Sequence, residues 1–251
     1  IAYYSSMRTF TEWFCQRGVF DYNPFSIAKE EELDFQRNET VKRQVDLSEL
    51  QDVIKSTRKP QRLLLITLLL KTGLRLSEAH NLDLRDVHIE HPISKDIPQP
   101  RSEIRQKPDT IFVDSSINED EVYNGEKRTH SNKKKSTRAI PIDSELKDTL
   151  VWWIALAPPS NSPAKPLFRN TVKKLGLRIG YPAMYSHFVS WAKERNLHEW
   201  GNELNISPHW CRHWFTTVLR QRISPEEVEL GTVKGYVKSL RGDSDSDTID
   251  I

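Results

Sequence analysis

Two short stretches decide how this chain is read: Thr72-Gly73-Leu74-Arg75-Leu76-Ser77-Glu78 and, far downstream, Ser207-Pro208-His209-Trp210-Cys211-Arg212-His213. In the first, Gly73 closes an apolar run and Arg75 opens a short helix. Leu74, Leu76 and Leu82 surround Arg75, so the segment is partly buried, and a buried guanidinium needs an anionic partner. Glu78, three residues on, can hold it in place. In the second stretch Ser207 is a helix cap and Pro208 suits the first helical position. His209 and Arg212 then stand three apart, on one face of that helix. Each stretch alone has an ordinary explanation, a surface arginine with a nearby acid or a core histidine beside a snorkelling arginine. Two arginines and a histidine converging on one point would instead receive a phosphodiester. Guanidinium forks bond non-bridging oxygens bidentately and stabilise the charge that grows on them during displacement, with no metal required.

Outward from these stretches the pattern is mostly helical. Pro60 to Thr72 predicts a buried helix, and Asp46 with Glu49 predicts a capping box for a helix through Ile54. From Val87 to Ile142 short β-type runs, notably Ile111-Phe112-Val113 and Ala139-Ile140-Pro141-Ile142, predict a small antiparallel sheet. Helix returns over Ser144 to Ile154, with Leu146, Leu150, Trp153 and Ile154 on one face, and again around Phe188, Trp191 and Ala192. At the N-terminus Tyr3, Met7, Phe10 and Phe14 recur at helical spacing, and Gly18 is placed to end that helix. The predicted fold class is therefore mainly α with a small antiparallel β-sheet. Residues 1–28 read as the end of a helical domain, 29–43 as a polar linker, and 44–251 as a second, incomplete domain.

Composition narrows the function classes. The chain has 251 residues, 37% hydrophobic and 29% charged, and no apolar run reaches the ~18 residues needed to span a bilayer. Two cysteines, Cys15 and Cys211, cannot make a disulfide framework, which suits a reducing compartment and predicts a cytoplasmic, soluble protein without membrane contact. A formal net charge of +2 does not by itself announce a nucleic-acid binder, so placement matters. Lys127, Arg128, Lys133, Lys134, Lys135 and Arg138 form a basic run without an acid, between the two arginine motifs, whereas four aspartates follow Arg241. The basic run is a candidate DNA-contacting surface.

Together these motifs resemble those of the tyrosine recombinases, the phage integrase family, over most of residues 44–251. The family's first box, T-G-x-R-x-x-E, is matched by Thr72, Gly73, Arg75 and Glu78, and its second, H-x-x-R-H, by His209, Arg212 and His213. The family's catalytic lysine lies on a β-hairpin before a strand of the type R-x-x-P, matched by Arg138-Ala139-Ile140-Pro141; counting back from Pro141 gives Lys133, with Lys134, Lys135 and Lys127 as competitors. The resemblance implies site-specific DNA recombination through a 3′-phosphotyrosine intermediate, on double-stranded DNA, by a homotetramer, with no cofactor. Arg75 and Arg212 would hold the phosphate, His209 would help in proton transfer or phosphate binding, and Lys133 would protonate the 5′-hydroxyl leaving group. Glu78 would brace Arg75, and His213 would be structural. The first 28 residues would end the family's helical core-binding domain.

Two departures stand out. Where bacterial members read L-G-H, this chain has Leu240-Arg241-Gly242-Asp243, a pattern more like that of archaeal members, so the second histidine or tryptophan ligand is not identified. The nucleophilic tyrosine is expected just past Ile251, the chain being a fragment that stops short of it. Tyr236, the only tyrosine after Arg212, lies among Val233 and Val237 and reads as a packing residue. Other readings of the same residues are a type IB topoisomerase relative, a non-catalytic DNA-binding protein, and a metal site from His209 and His213, which lacks the H-E-x-x-H pattern because Trp210 follows His209. Cys211 reads as a small buried thiol, and the seven tryptophans read as core.

Overall fold

Helix α3, Pro60–Thr72, is apolar on every side, and nine of its thirteen residues are buried. A helix without a polar face belongs at the centre of a domain. Most of the other described helices of the domain pack against it. The structure, a computed structural model, describes residues 2–26, 43–134, 136–202, 204–223 and 230–242. The chain divides into two compact units, Ile1–Val41 and Lys42–Ile251. Of the predicted linker over 29–43, all but Arg43 lies outside the described residues, as does the acidic tail Asp243 to Asp250.

The first unit holds α1, Ala2–Cys15, followed by a turn in which Gly18 takes φ +69. Phe14 packs edge-on against Phe10 and Trp13 and meets Phe20 at 5.6 Å. The Asn23 amide ties the return of the chain to the helix by donating to the Arg8 carbonyl and the Glu12 carboxylate.

In the second unit, α2 (Leu47–Lys55) leads into α3, and α4 (Leu76–Asn81) follows at once. Asp46 does stand at the N-cap of α2, yet its side chain makes no cap bond, so the predicted capping box with Glu49 does not form. Both acids are exposed, and the N–H groups of an exposed helix turn can be served by solvent without a side-chain cap. The sheet comprises β1 (Val87–His88), β2 (Thr110–Val113) and β5 (Arg138–Pro141), antiparallel in the order β1-β2-β5 with Ile111 opposite Ile140. Between β2 and β5 a separate hairpin, β3 (Val122–Tyr123) and β4 (Glu126–Lys127), turns at Asn124-Gly125, where both residues have positive φ, 52 and 76. Such a turn matches the twist of a two-stranded ribbon.

Helices α5 (Ser144–Leu156), α6 (Tyr181–Lys193) and α7 (Pro208–Arg222) all pack on α3. Leu146, Leu150 and Trp153 are the buried face of α5, and Met184, Phe188, Trp191 and Ala192 that of α6. Helix α8 (Leu230–Arg241) packs on α7 and on β5. The tryptophans divide: Trp153, Trp191 and Trp210 are core, but Trp13, Trp152 and Trp200 are 47, 43 and 92% exposed, contrary to the expectation that all are buried. Trp152 neighbours the inward Trp153 on α5, and consecutive helical positions face different ways.

Candidate active site

Gly73 is the hinge on which the site is built. It ends α3 in the left-handed conformation, φ +63, and its N–H bonds the Leu69 carbonyl. A β-carbon here would stand 2.5 Å from the Phe215 ring on α7, so a side chain is excluded by both conformation and contact. The Gly73 carbonyl accepts a 2.6 Å hydrogen bond from Arg212, whose other terminal nitrogen donates to the Arg241 carbonyl at 2.7 Å. The Arg212 side chain is thereby fixed although it is 1% exposed.

Arg75 follows as the N-cap residue of α4, with 26% of its side chain exposed. The carboxylate of Glu78 accepts from the Arg75 backbone N–H at 2.9 Å and from its guanidinium at 3.1 Å. Glu78 also receives Arg138 at 2.9 Å from β5, and its side chain is 0% exposed. Burial alone would raise its pKa, but Arg138, with Arg75, outweighs that and holds the carboxyl below the usual range. Glu78 is thus a buried anion shared by two arginines.

Arg75, His209 and Arg212 line one cavity of about 420 Å³. The two sequence motifs therefore meet, although Arg75 and Arg212 are 137 positions apart. Ser207 caps α7 as expected, accepting from the Trp210 N–H at 3.1 Å. Beneath the site Trp210 stacks on Trp214 and donates to the Arg43 carbonyl. The His213 ring sits edge-on to His209 at 4.5 Å. Burial pushes the Cys211 thiol well up, as befits the inert buried cysteine expected. Among the described residues no group of three or more His, Cys, Asp or Glu could hold a metal ion.

The basic run separates into inward and outward members. Arg128 and Arg138, expected on a DNA-facing surface, are internal. Arg128 is 1% exposed and bonds Asp83 at 2.6 Å, and Arg138 is spent on Glu78 and on the Leu240 and Ser136 carbonyls. A buried guanidinium is kept by such partners, which is why charge in a sequence does not announce exposure. Lys134 and Lys127 are exposed, the latter paired with Asp120 at 2.9 Å. Lys133 is half-buried and is not among the described residues of the cavity wall, and Lys135 lies outside the described residues. Tyr236 is not the packing residue expected: it is 49% exposed, whereas its neighbour Val237 is buried, at 0%.

Sequence reasoning missed Tyr181 and Tyr185, which also line the cavity, from the first turns of α6. The Gly180-Tyr181-Pro182 run, with proline in the first turn, signals the helix start but says nothing of where its tyrosines face. It also missed Asp83, the centre of a buried cluster in which Arg128 and Arg178 both bond its carboxylate and Arg178 reaches Glu126 at 2.8 Å.

No protein-family model and no curated protein matches this chain. Solved structures do. The Tn1549 transposon integrase, residues 82-397 with a Y379F change in complex with transposon right end DNA, superposes with a TM-score of 0.62 at 20% identity, covering 96% of this chain and 70% of that one. Lambda integrase (75-356), a dimer bound to a COC' core site, gives 0.58 at 13% identity, over 99% and 74%. XerA recombinase gives 0.54 at 16% identity, over 88% and 63%, so the chain spans under two thirds of that protein. The chain has the tyrosine recombinase fold. Within the tyrosine recombinase fold as seen here, the helical elements bring the arginines together and the sheet delivers Arg138 behind them. No helix of the described residues is long and apolar enough to cross a membrane.

Proposed function

We propose that this protein is a tyrosine-type site-specific DNA recombinase, and the observation that carries this reading is the single cavity lined by Arg75, His209 and Arg212. Support also comes from the fold, shared with integrases solved on DNA, one of them a lambda integrase tetramer bound to a Holliday junction. Double-stranded DNA is the proposed partner, with a homotetramer as the working assembly in the cytoplasm. Residues 1–28 would belong to a core-binding domain and 44–251 to the catalytic domain, joined by 29–43.

In the proposed reaction Arg75 and Arg212 bond the non-bridging oxygens of the scissile phosphate, and a tyrosine oxygen attacks phosphorus. The bond to the 5′-oxygen breaks as the new one forms, leaving a 3′-phosphotyrosine link and a free 5′-hydroxyl. Lys133 supplies the proton to that oxygen, and His209 assists proton transfer or binds the phosphate. The ester keeps the energy of the broken bond, so a hydroxyl from another strand can reverse the step. The attacking tyrosine is to be found by mapping the adduct, with Tyr236 one candidate. Lys127 and Lys134, both exposed, are proposed to contact the DNA backbone, and Lys135 with them.

A nicked suicide duplex, incubated with the product of the complete gene and run on a denaturing gel, tests this. A covalent adduct that disappears in Arg75→Ala, with the linked tyrosine located by peptide mapping, is the expected result. Tight, salt-sensitive binding without an adduct would instead mean a non-catalytic DNA-binding protein.

A further inference from the structure

Helix α4 does more than carry Arg75. Its Asn81 side chain, 1% exposed, directs both amide hydrogens at the segment before Lys133: one to the His130 carbonyl and one to the Asn132 side-chain oxygen, each at 2.9 Å. Asn132 is itself buried, and its own amide donates to the Asp114 carbonyl at 2.7 Å. On the other side of Lys133, the Ser136 hydroxyl donates to the Lys133 carbonyl, and Arg138 donates to the Ser136 carbonyl at 2.8 Å while bonding Glu78 of α4 at 2.9 Å. Both flanks of the lysine therefore run back to one six-residue helix, through Asn81 and through Glu78. A third tie comes from the cavity wall, where the Tyr181 ring stacks on His130 at 3.9 Å and 20°.

We propose that Asn81, the Glu78–Arg138 pair and the Tyr181–His130 stack are positioning residues that hold Lys133 in register with the arginines of the cavity. This rests on the reading of Lys133 as the general acid. The lysine's own stem is long and flexible, so its placement depends on how its backbone is held. Because Glu78 also braces Arg75, the donor for the leaving oxygen and a ligand for the phosphate share one support.

The test compares two duplexes, one ordinary and one with sulfur in place of the 5′-bridging oxygen at the scissile phosphate. A thiolate leaves without a proton, so the sulfur duplex bypasses the acid and nothing else. Asn81→Ser and the half-buried His130→Ala, made in the complete protein, are expected to slow cleavage of the ordinary duplex roughly ten- to a hundredfold and to restore near-wild-type rates on the sulfur duplex. Lys133→Ala should show the same rescue with a larger initial loss, and Arg75→Ala should show none. Thermal melting reports whether each variant folds, and His130→Ala, lacking buried polar groups of its own, keeps the test alive if Asn81→Ser does not. Equal losses on both duplexes, or no loss on either, from folded clamp variants would overturn the clamp while leaving Lys133 in place. A Lys133→Ala protein that is not rescued removes the general-acid assignment, and the clamp with it.

Discussion

Two sites of buried arginine in the second unit, the Asp83 cluster and Arg212 of the cavity, are held through different groups. Around Asp83, Arg128 and Arg178 converge on one carboxylate whose side chain is 0% exposed, with Glu126 adding a second anion. In the cavity, the Arg212 guanidinium is oriented by two backbone carbonyls, those of Gly73 and Arg241. A carboxylate fixes a guanidinium and cancels its charge, whereas a carbonyl bond fixes it and adds no countercharge. The first arrangement braces the hairpin against α4 and the loop before α6. The second orients Arg212 on the wall of the cavity.

The largest effect expected from breaking this contrast is on stability. Asp83→Asn leaves two buried guanidinium groups without their shared anion and should cost about 3–5 kcal/mol in urea unfolding, while cleavage per folded molecule stays intact. Arg212→Lys should do the reverse. An ammonium cannot span both carbonyls and fork a phosphate oxygen, so single-turnover cleavage should fall on the order of a hundredfold or more, about 3 kcal/mol, with stability less affected. If Arg212→Lys destabilised the fold as much as Asp83→Asn, the distinction between bracing and aiming would be lost. Gly73→Ala should fall between these classes. It combines left-handed backbone strain with a contact on Phe215 and is expected to cost roughly 1–3 kcal/mol, together with slower cleavage through the displaced Gly73 carbonyl.

The smallest effect is a pH dependence read from two groups near the Asp83 cluster. His80 on α4 donates through Nε2 to the Ile179 carbonyl, and burial, with Arg178 nearby, lowers its pKa from 6.5 to about 4. Across that interval the unfolded chain binds the extra proton, so this group makes stability rise with pH. Asp86, paired with Arg101 at 2.5 Å, is raised by burial from 3.8 to about 6, the Arg101 attraction opposing. There the folded state holds the extra proton, so this group makes stability fall as pH rises from about 4 to 6. The two slopes oppose one another in the wild type. Denaturation midpoints measured from pH 4 to 7 should therefore slope downward with pH in His80→Gln and upward in Asp86→Asn, relative to the parent. Parallel curves for all three proteins would contradict both assignments.

The arginine cavity was legible because its residues sit at helix boundaries, where sequence speaks plainly. Gly73 stops a helix, Ser207-Pro208 starts one, and the spacings 75/78 and 209/212 follow from helical geometry. The strand Arg138–Pro141 was legible for its β-type run, and it falls where expected. What could not be read was the direction of charge. Arg128 and Lys127 are neighbours of like charge on one short strand and its exit, yet one is buried on Asp83 and the other exposed on Asp120. The partner that decides this, Asp83, lies 45 positions away and carries no motif of its own. Tyr181, Tyr185 and Asn81 were missed for the same reason, since their roles come from what the fold sets opposite them.

Gly73 gathers these threads into a constraint on engineering. The residue that stops α3 also offers the carbonyl that aims Arg212 and leaves room for Phe215. Anyone transplanting the cavity onto another scaffold would have to move the helix stop with it, and a library randomised at position 73 and selected for cleavage should return glycine almost alone, however freely its neighbours vary.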